Sequence, residues 1–324
     1  MSTPKPNSSR TFEAGPTKLQ AERVDGAGSR GESLRRKPPS RSNPWFEFEY
    51  RPSPDGVDEN LLVFFHGLGD SPRPFMDLGR KMNLPQTAIM SLKAPFLVPF
   101  TYDDGSRAWF PSISEQDAEL LPPNHPRRFW GLLYTRYALA RFFSDYVFPQ
   151  APSSSSKHYA SGWPAERVTL FGFSQGGSIA IDLALLGKFR EERTRFSGVI
   201  SIAGHLLPEH LRLAEKGRLI DEWGPMTRGT RILITAGSKD DVTTLKDAKK
   251  AFDVTREIAL GTQDESEEVE GDLCRLLVVD GKGHGMAEGK AEWAAIMQTL
   301  SKTTVRRNTA LENMTDLYEV KRTE

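Results

Sequence analysis

The 324-residue sequence contains a single cysteine, Cys274, so no disulfide can close within it. That is the usage expected of a reducing compartment, and a cytoplasmic location is the expectation. No apolar run approaches the roughly 20 residues that a membrane-spanning helix needs. The opening MSTPKPNSSR has no apolar signal core. Charge of one sign is also missing, because 43 Lys and Arg are matched by 43 Asp and Glu. With no basic excess, neither nucleic acid nor an anionic membrane is expected as the main partner. What is present is a 38% hydrophobic share, enough for a large core and too much for wholesale disorder.

The two ends read differently from the middle. Residues 1–43 are rich in Pro, Ser, Gly and Arg and carry nine Lys/Arg against four Asp/Glu. Phe12, Leu19, Val24 and Leu34 are the sizeable apolar side chains there, too few to offset chain entropy, so a disordered basic tail is expected. Glu13, Glu22, Asp25 and Glu32 argue against a mitochondrial transit peptide. Residues 301–324 read as a polar tail. Between the tails, residues 44–300 carry the pattern of one domain.

Short apolar segments alternate with helical periodicities through that domain. Phe46, Phe48 and Tyr50 alternate with Glu47 and Glu49, the period of a half-buried strand. Leu61 to Phe65 is continuously apolar, as in a strand covered on both faces. Residues 87–92, 167–173, 199–203, 231–235 and 275–279 repeat that form. Leu133, Tyr137, Ala140, Phe143 and Val147 mark one face of a helix, and 175–186, 243–260 and 287–300 also read as helices. Gly187 is a stop for the helix 175–186. Such alternation predicts an α/β fold with a mainly parallel central sheet flanked by helices on both faces. Reactive groups are then expected at the carboxyl ends of the strands.

Two further stretches interrupt the alternation. Residues 94–128 form a long, proline-rich loop that carries Phe96, Phe100, Tyr102, Trp109 and Phe110. It reads either as a lid or acyl-binding wall, with Trp109 and Phe110 as substrate-binding candidates, or as a loop pinned to the body by its aromatics. Ser153 to Ser156 and the acidic run 261–272 read as solvated insertions.

The chemistry begins at Gly172-Phe173-Ser174-Gln175-Gly176-Gly177, which lies between a predicted strand and a predicted helix. A sharp turn there strains the serine and exposes its Oγ, and Gly172 and Gly176 leave the room the turn requires. Ser174 is therefore the expected nucleophile. A serine hydroxyl needs a base, and in this strand–turn–helix arrangement the chain order is Ser, then Asp or Glu, then His. Three histidines follow Ser174. His284 sits in Gly281-Lys282-Gly283-His284-Gly285 just past the last predicted strand and is the expected base, with His205 in reserve. Asp240 and Asp241 both lie just past another strand, so either could orient the base. Asp280 reads as a local turn former. The oxyanion donors expected are the backbone N–H groups of Gln175 and of Leu68, the latter in Phe65-His66-Gly67-Leu68-Gly69-Asp70. His66 is expected to orient that loop. Cys274, within an apolar strand, reads as a small buried hydrophobe.

These motifs, with Leu92-Lys93-Ala94-Pro95, the Trp109-Phe110 pair and the carboxyl-side Asp and His, resemble the phospholipase/carboxylesterase family of the α/β-hydrolases, which includes the acyl-protein thioesterases. The resemblance spans roughly residues 60–300. Gly237-Ser238-Lys239-Asp240 matches the Gly-x-x-Asp at the family's acid, so the resemblance implies Ser174, Asp240 and His284 as the triad. The family's His before that glycine is Ala236 here, and its Pro after the acid is Asp241. The expectation is a serine hydrolase that cleaves carboxylic esters or thioesters through an acyl-enzyme, with an apolar acyl group and no metal or cofactor. Lysophospholipase or acyl-protein thioesterase activity, the latter on an acylated protein, is the narrower alternative. A catalytically silent binding module on the same fold is the reading from another class.

Overall fold

The structure, a computed structural model, describes residues 9–14, 17–23, 35–101, 105–123, 125–149, 162–189, 195–210, 229–260, 273–308 and 318–323. In chain order the strands and helices are β1 Ser9–Ala14, β2 Thr17–Arg23, β3 Phe48–Arg51, β4 Asn60–Phe65, α1 Pro72–Met82, β5 Thr87–Leu92, β6 Phe96–Leu97, β7 Arg107–Ala108 and α2 Pro126–Phe142. They continue with β8 Val168–Phe173, α3 Gln175–Leu186, β9 Gly198–Ile202, β10 Arg231–Gly237, α4 Leu245–Leu260, β11 Cys274–Val279, α5 Gly289–Thr303 and β12 Tyr318–Thr323. Tyr102, His158, the serine run at 153–156 and the acidic run 261–272 lie outside the described residues.

The chain divides into two compact units. Leu34–Val305 holds a seven-stranded sheet of order β11-β10-β9-β8-β4-β5-β3, parallel throughout except for β3, which runs antiparallel to β5. Its central strands are apolar on both faces because both faces are covered. Leu61, Val63 and Phe65 join Leu132, Leu139, Phe142, Ile179, Leu183 and Ile258 in one cluster, so α2, α3 and α4 share that side. Leu62 and Phe64 point the other way and meet Phe75, Met76, Ile296 and Leu300 of α1 and α5. The period of two along β4 thus divides one strand between two cores. Each buried Leu or Phe contributes about 1.5–3 kcal/mol of burial energy.

The strand order also fixes where a site can form. From β4 the chain moves outward to β5 on one side, then returns to β8 on the other, so the direction of winding reverses between β4 and β8. The carboxyl ends of those two strands border the crevice where such sheets bind ligands.

Four details differ from the sequence reading. Helix α1 had no counterpart in it; Ser71 and Pro72 open this helix, and Phe75, Met76 and Gly79 are its buried positions. The face expected through Tyr137 is rotated, because Tyr137 is 58% exposed while Leu132, Thr135, Leu139 and Phe142 are buried. Leu139 and Phe142 extend from Leu132 by seven and ten residues, and that stripe meets the sheet. Residues ahead of 44 are tied to the body of the domain, since Arg35 pairs with the buried Asp58 at 3.2 Å and Arg36 donates to the Gly162 carbonyl at 2.8 Å. The other unit, Met1–Ser33 with Arg306–Glu324, contains β1, β2 and β12 as a three-stranded antiparallel sheet in segments read as tails. Ladder pairing satisfies backbone groups whatever the composition, and a partner strand some 300 residues away leaves no local trace.

Candidate active site

Strand β8 ends at Phe173 and α3 begins at Gln175, so one residue makes the whole turn. That residue is Ser174, with φ 51° and ψ −121°. A non-glycine residue at positive φ stores on the order of 1–3 kcal/mol, sustained only when its surroundings fix it. Here they do. The Ser174 N–H donates to Ile202 O at 2.8 Å, and Ser174 O accepts from the Ser178 N–H at 3.0 Å. A Cβ on Gly172 would overlap the backbone of Gly176 and Gly177, and one on Gly176 would overlap the carbonyl oxygens of Phe65 and His66. Both glycines are therefore required by close backbone approach, as the turn chemistry anticipated.

His284 is brought to this turn from the loop after β11. Its Nε2 lies 2.7 Å from Ser174 Oγ, and its Nδ1 lies 2.9 Å from Asp240 Oδ2. With Nδ1 protonated and donating to the carboxylate, Nε2 is left as the acceptor for the serine proton. Asp240 is held in turn, its Oδ1 accepting from the N–H groups of Val242 and Thr243, both at 2.9 Å. Burial pushes the Asp240 carboxyl up, but the Thr243 N–H and His284 outweigh it, and the group stays below its ordinary range. The structure thus brings Ser174, Asp240 and His284 together. Asp241 is exposed and takes no part in these bonds. Asp280 accepts from Ser238 Oγ at 2.9 Å, a local tie between two loops.

His205, the reserve base, follows β9, and its backbone N–H donates to Ser178 Oγ at 3.2 Å. Burial lowers its pKa to about 4, so the ring is neutral at pH 7. The hydrogen bond to Ser174 Oγ belongs to His284 instead.

On the opposite side of the serine, the loop after β4 is organised by His66. Its Nδ1 lies 2.8 Å from Gly67 O, and its Nε2 accepts from the Ala94 N–H at 3.1 Å. This fully buried ring is kept neutral by burial, which lowers its pKa. It orients the loop, as the sequence suggested. Neither the Leu68 nor the Gln175 backbone N–H has a hydrogen-bond partner among the described residues, so both remain available to an incoming oxygen.

Trp109 and Phe110 are not at the surface of a substrate wall. They are 0% and 2% exposed and belong to the core. An indole buries a large apolar area provided its N–H finds an acceptor, and Trp109 Nε1 donates to His66 O at 2.8 Å. The Trp109 backbone N–H donates to Gln175 Oε1 at 2.6 Å, and Gln175 Nε2 donates to Phe110 O at 3.1 Å. Trp109 therefore joins the loop that carries Leu68 to the helix start that carries Gln175. The sequence pointed to these residues but not to this role, and the Gln175 side chain escaped it altogether. An open pocket of about 110 Å³ is lined by Leu68, Phe96, Val98 and Ile113 and, on its polar side, by Glu115 and Arg127. Of the two readings of loop 94–128, the pin holds for Trp109 and Phe110, and the wall is left to the residues around them.

The sheet order, the strained strand-to-helix serine and the reversal of winding beside it are those of the α/β-hydrolase fold. Within that fold, residues 52–120 match the model of the family described as Phospholipase/Carboxylesterase. The chain is 32% identical over 167 residues to an uncharacterized hydrolase of Mycosarcoma maydis, covering 51% of this chain and 56% of the relative. It is 26% identical over 204 residues to acyl-protein thioesterase 1 of Neurospora crassa, covering 61% and 73% respectively. The chain spans about half the length of the first two curated relatives, 56% of one and 47% of the other. Among solved structures, esterase PE8 superposes with a TM-score of 0.57 at 21% identity over 80% of this chain and 99% of that one. Acyl-protein thioesterase 2 of Zea mays does so at 0.53 and 16% identity, over 79% and 98%. These two superpositions speak for the fold. No helix among the described residues is long and apolar enough to cross a membrane.

Proposed function

We propose that the protein hydrolyses carboxylic esters or thioesters through an acyl-enzyme on Ser174. The observation that carries this reading is the pair of hydrogen bonds at His284, 2.7 Å to Ser174 Oγ and 2.9 Å to Asp240 Oδ2. As Ser174 Oγ attacks the acyl carbonyl, its proton passes to His284 Nε2, and Asp240 stabilises the imidazolium through Nδ1–H without taking the proton itself. The carbonyl oxygen gains the negative charge, which the Leu68 and Gln175 N–H groups receive; one such donor is typically worth about a hundred- to a thousandfold in rate. Collapse of the tetrahedral intermediate breaks the bond to the alcohol or thiol, which leaves with the proton from His284. Water then repeats the sequence on the acyl-enzyme and returns Ser174.

Phe96, Val98, Pro99 and Ile113, which line the pocket beside Leu68 together with the charged Glu115 and Arg127, support an apolar acyl group, since each buried methylene adds about 0.8 kcal/mol. An acylated protein or a lysophospholipid is the narrower alternative within this reading. The relative named acyl-protein thioesterase 1 supports the first.

The test is intact mass after exposure to a fluorophosphonate, for wild type and Ser174→Ala in parallel. A single adduct is expected on wild type and none on the variant, whose kcat should fall by up to about 10⁶. Turnover of the variant at the wild-type rate would sink the assignment. A ladder of p-nitrophenyl esters checks the acyl group: kcat/KM should climb with each added methylene until the pocket is filled, and a flat profile rejects the preference.

A further inference from the structure

The loop that carries His284 is Gly281-Lys282-Gly283-His284-Gly285, so Lys282 is the one side chain other than the histidine itself that can anchor it. Lys282 turns inward. Its Nζ donates to Glu292 Oε1 at 2.7 Å, with the two side chains 4% and 0% exposed. Glu292, on α5, holds two more groups. Its Oε1 accepts from Thr235 Oγ1 at 2.6 Å, and its Oε2 accepts from the Glu288 N–H at 2.8 Å. Thr235 is in β10, the strand that leads to Asp240. The Lys282 carbonyl meanwhile accepts from the Lys239 N–H at 2.9 Å, immediately before Asp240. One buried carboxylate thus joins the strand of the acid, the loop of the base and the start of the helix behind both.

Stability does not explain such a pair. Taking two charges out of water costs several kcal/mol per ion, and well-packed apolar residues in their place are often neutral or stabilising. What the pair supplies is direction. A loop with three glycines has wide conformational freedom, and a short hydrogen bond between charged groups fixes one point of it.

We propose that the buried Lys282–Glu292 pair is a positioning device for His284, holding the glycine-rich loop so that Nε2 meets Ser174 while Nδ1 meets Asp240. The proposal rests on the acyl-enzyme reading above. Lys282→Met tests it directly, because it removes the anchor of the loop and leaves the Glu292 bonds to Thr235 and Glu288 in place. With a folded Lys282→Met, kcat for a p-nitrophenyl ester should fall about 10- to 100-fold, the scale of a misplacement near 1 Å. KM should stay within about twofold. The rate of phosphonylation by a fluorophosphonate should fall in the same ratio, since it too needs His284 against Ser174. The double variant Lys282→Met/Glu292→Leu replaces the pair by apolar groups. Its urea midpoint should stay near that of wild type, because the lost bonds to Thr235 and Glu288 offset the gain from removing two buried charges, and it should still show the loss in kcat.

Wild-type kcat in either folded variant, or a loss confined to KM, overturns the proposal. If Lys282→Met does not fold, the double variant decides alone. Failure of the acyl-enzyme reading looks different: wild type would then take no adduct, or Ser174→Ala would turn over, whatever Lys282 does.

Discussion

Around Ser174 the chain is held by backbone and by the lack of side chains. Gly172 and Gly176 stand where a Cβ would overlap neighbouring main chain, and Ser174 is strapped by bonds from its own N–H and carbonyl. Around Asp240 and His284 the opposite holds. That half of the site is assembled from side-chain bonds between separate segments, from Asp240 to His284 at 2.9 Å and from Lys282 to Glu292 at 2.7 Å. The first half is rigid because there is no space to move. The second is positioned because a few polar groups have no better partner. On the proposed reading, a nucleophile that must hold a strained conformation suits the first kind of support, and a base that takes a proton from Ser174 and hands it to the leaving group suits the second.

Substitutions should separate the two kinds. The largest effect is expected from Asp240→Asn, which leaves the geometry in place but favours the wrong tautomer of His284; kcat should drop by about 10⁴ with little change in unfolding midpoint. Asp241→Asn, one residue along and exposed, should change kcat by less than about twofold. Equal effects from the two would break the distinction between a positioned acid and its surface neighbour. On the serine side the loss should appear in stability as well. Gly176→Ala forces a methyl group into backbone that cannot yield, and urea melts should show destabilisation of about 3 kcal/mol or more, at the upper end for overpacking.

The smallest effect is a pH dependence. Burial holds the His205 pKa near 4 against 6.5 in the open chain, so between those values the unfolded state binds more protons. Stability is therefore complete above pH 6.5 and falls as the pH drops toward 4. The expected loss is on the order of 1–2 kcal/mol, less than the full shift implies because the ring keeps some contact with solvent. Urea midpoints at pH 7.5 and 5 for wild type and His205→Gln measure it; an unchanged pH slope in the variant would show that other groups carry the dependence.

Much of this architecture was legible in the chain. Apolar runs marked the inner strands because a strand covered on both faces has no polar face to show, and all seven sheet strands fell within two residues of their expected limits. The glycines of the serine turn were legible for the same reason that they are rigid: steric exclusion acts between close neighbours and is written as residue type. Helix α1 was missed because its apolar positions are few, and the buried face of α2 was misplaced because an aromatic at Tyr137 fits the period whether or not the sheet lies on that side.

The sequence by itself determined the parallel sheet, the strained serine and the set of groups that could assist it, since periodicity and turn chemistry are local. Only the tertiary structure decided between Asp240 and Asp241 by geometry. It also turned Trp109 from a substrate wall into the link between the loop of Leu68 and the start of α3, and gave Lys282 a partner in Glu292. Those choices depend on which polar groups meet after the strands have paired, and a hydrogen bond between residues tens of positions apart leaves no periodic signature in the chain.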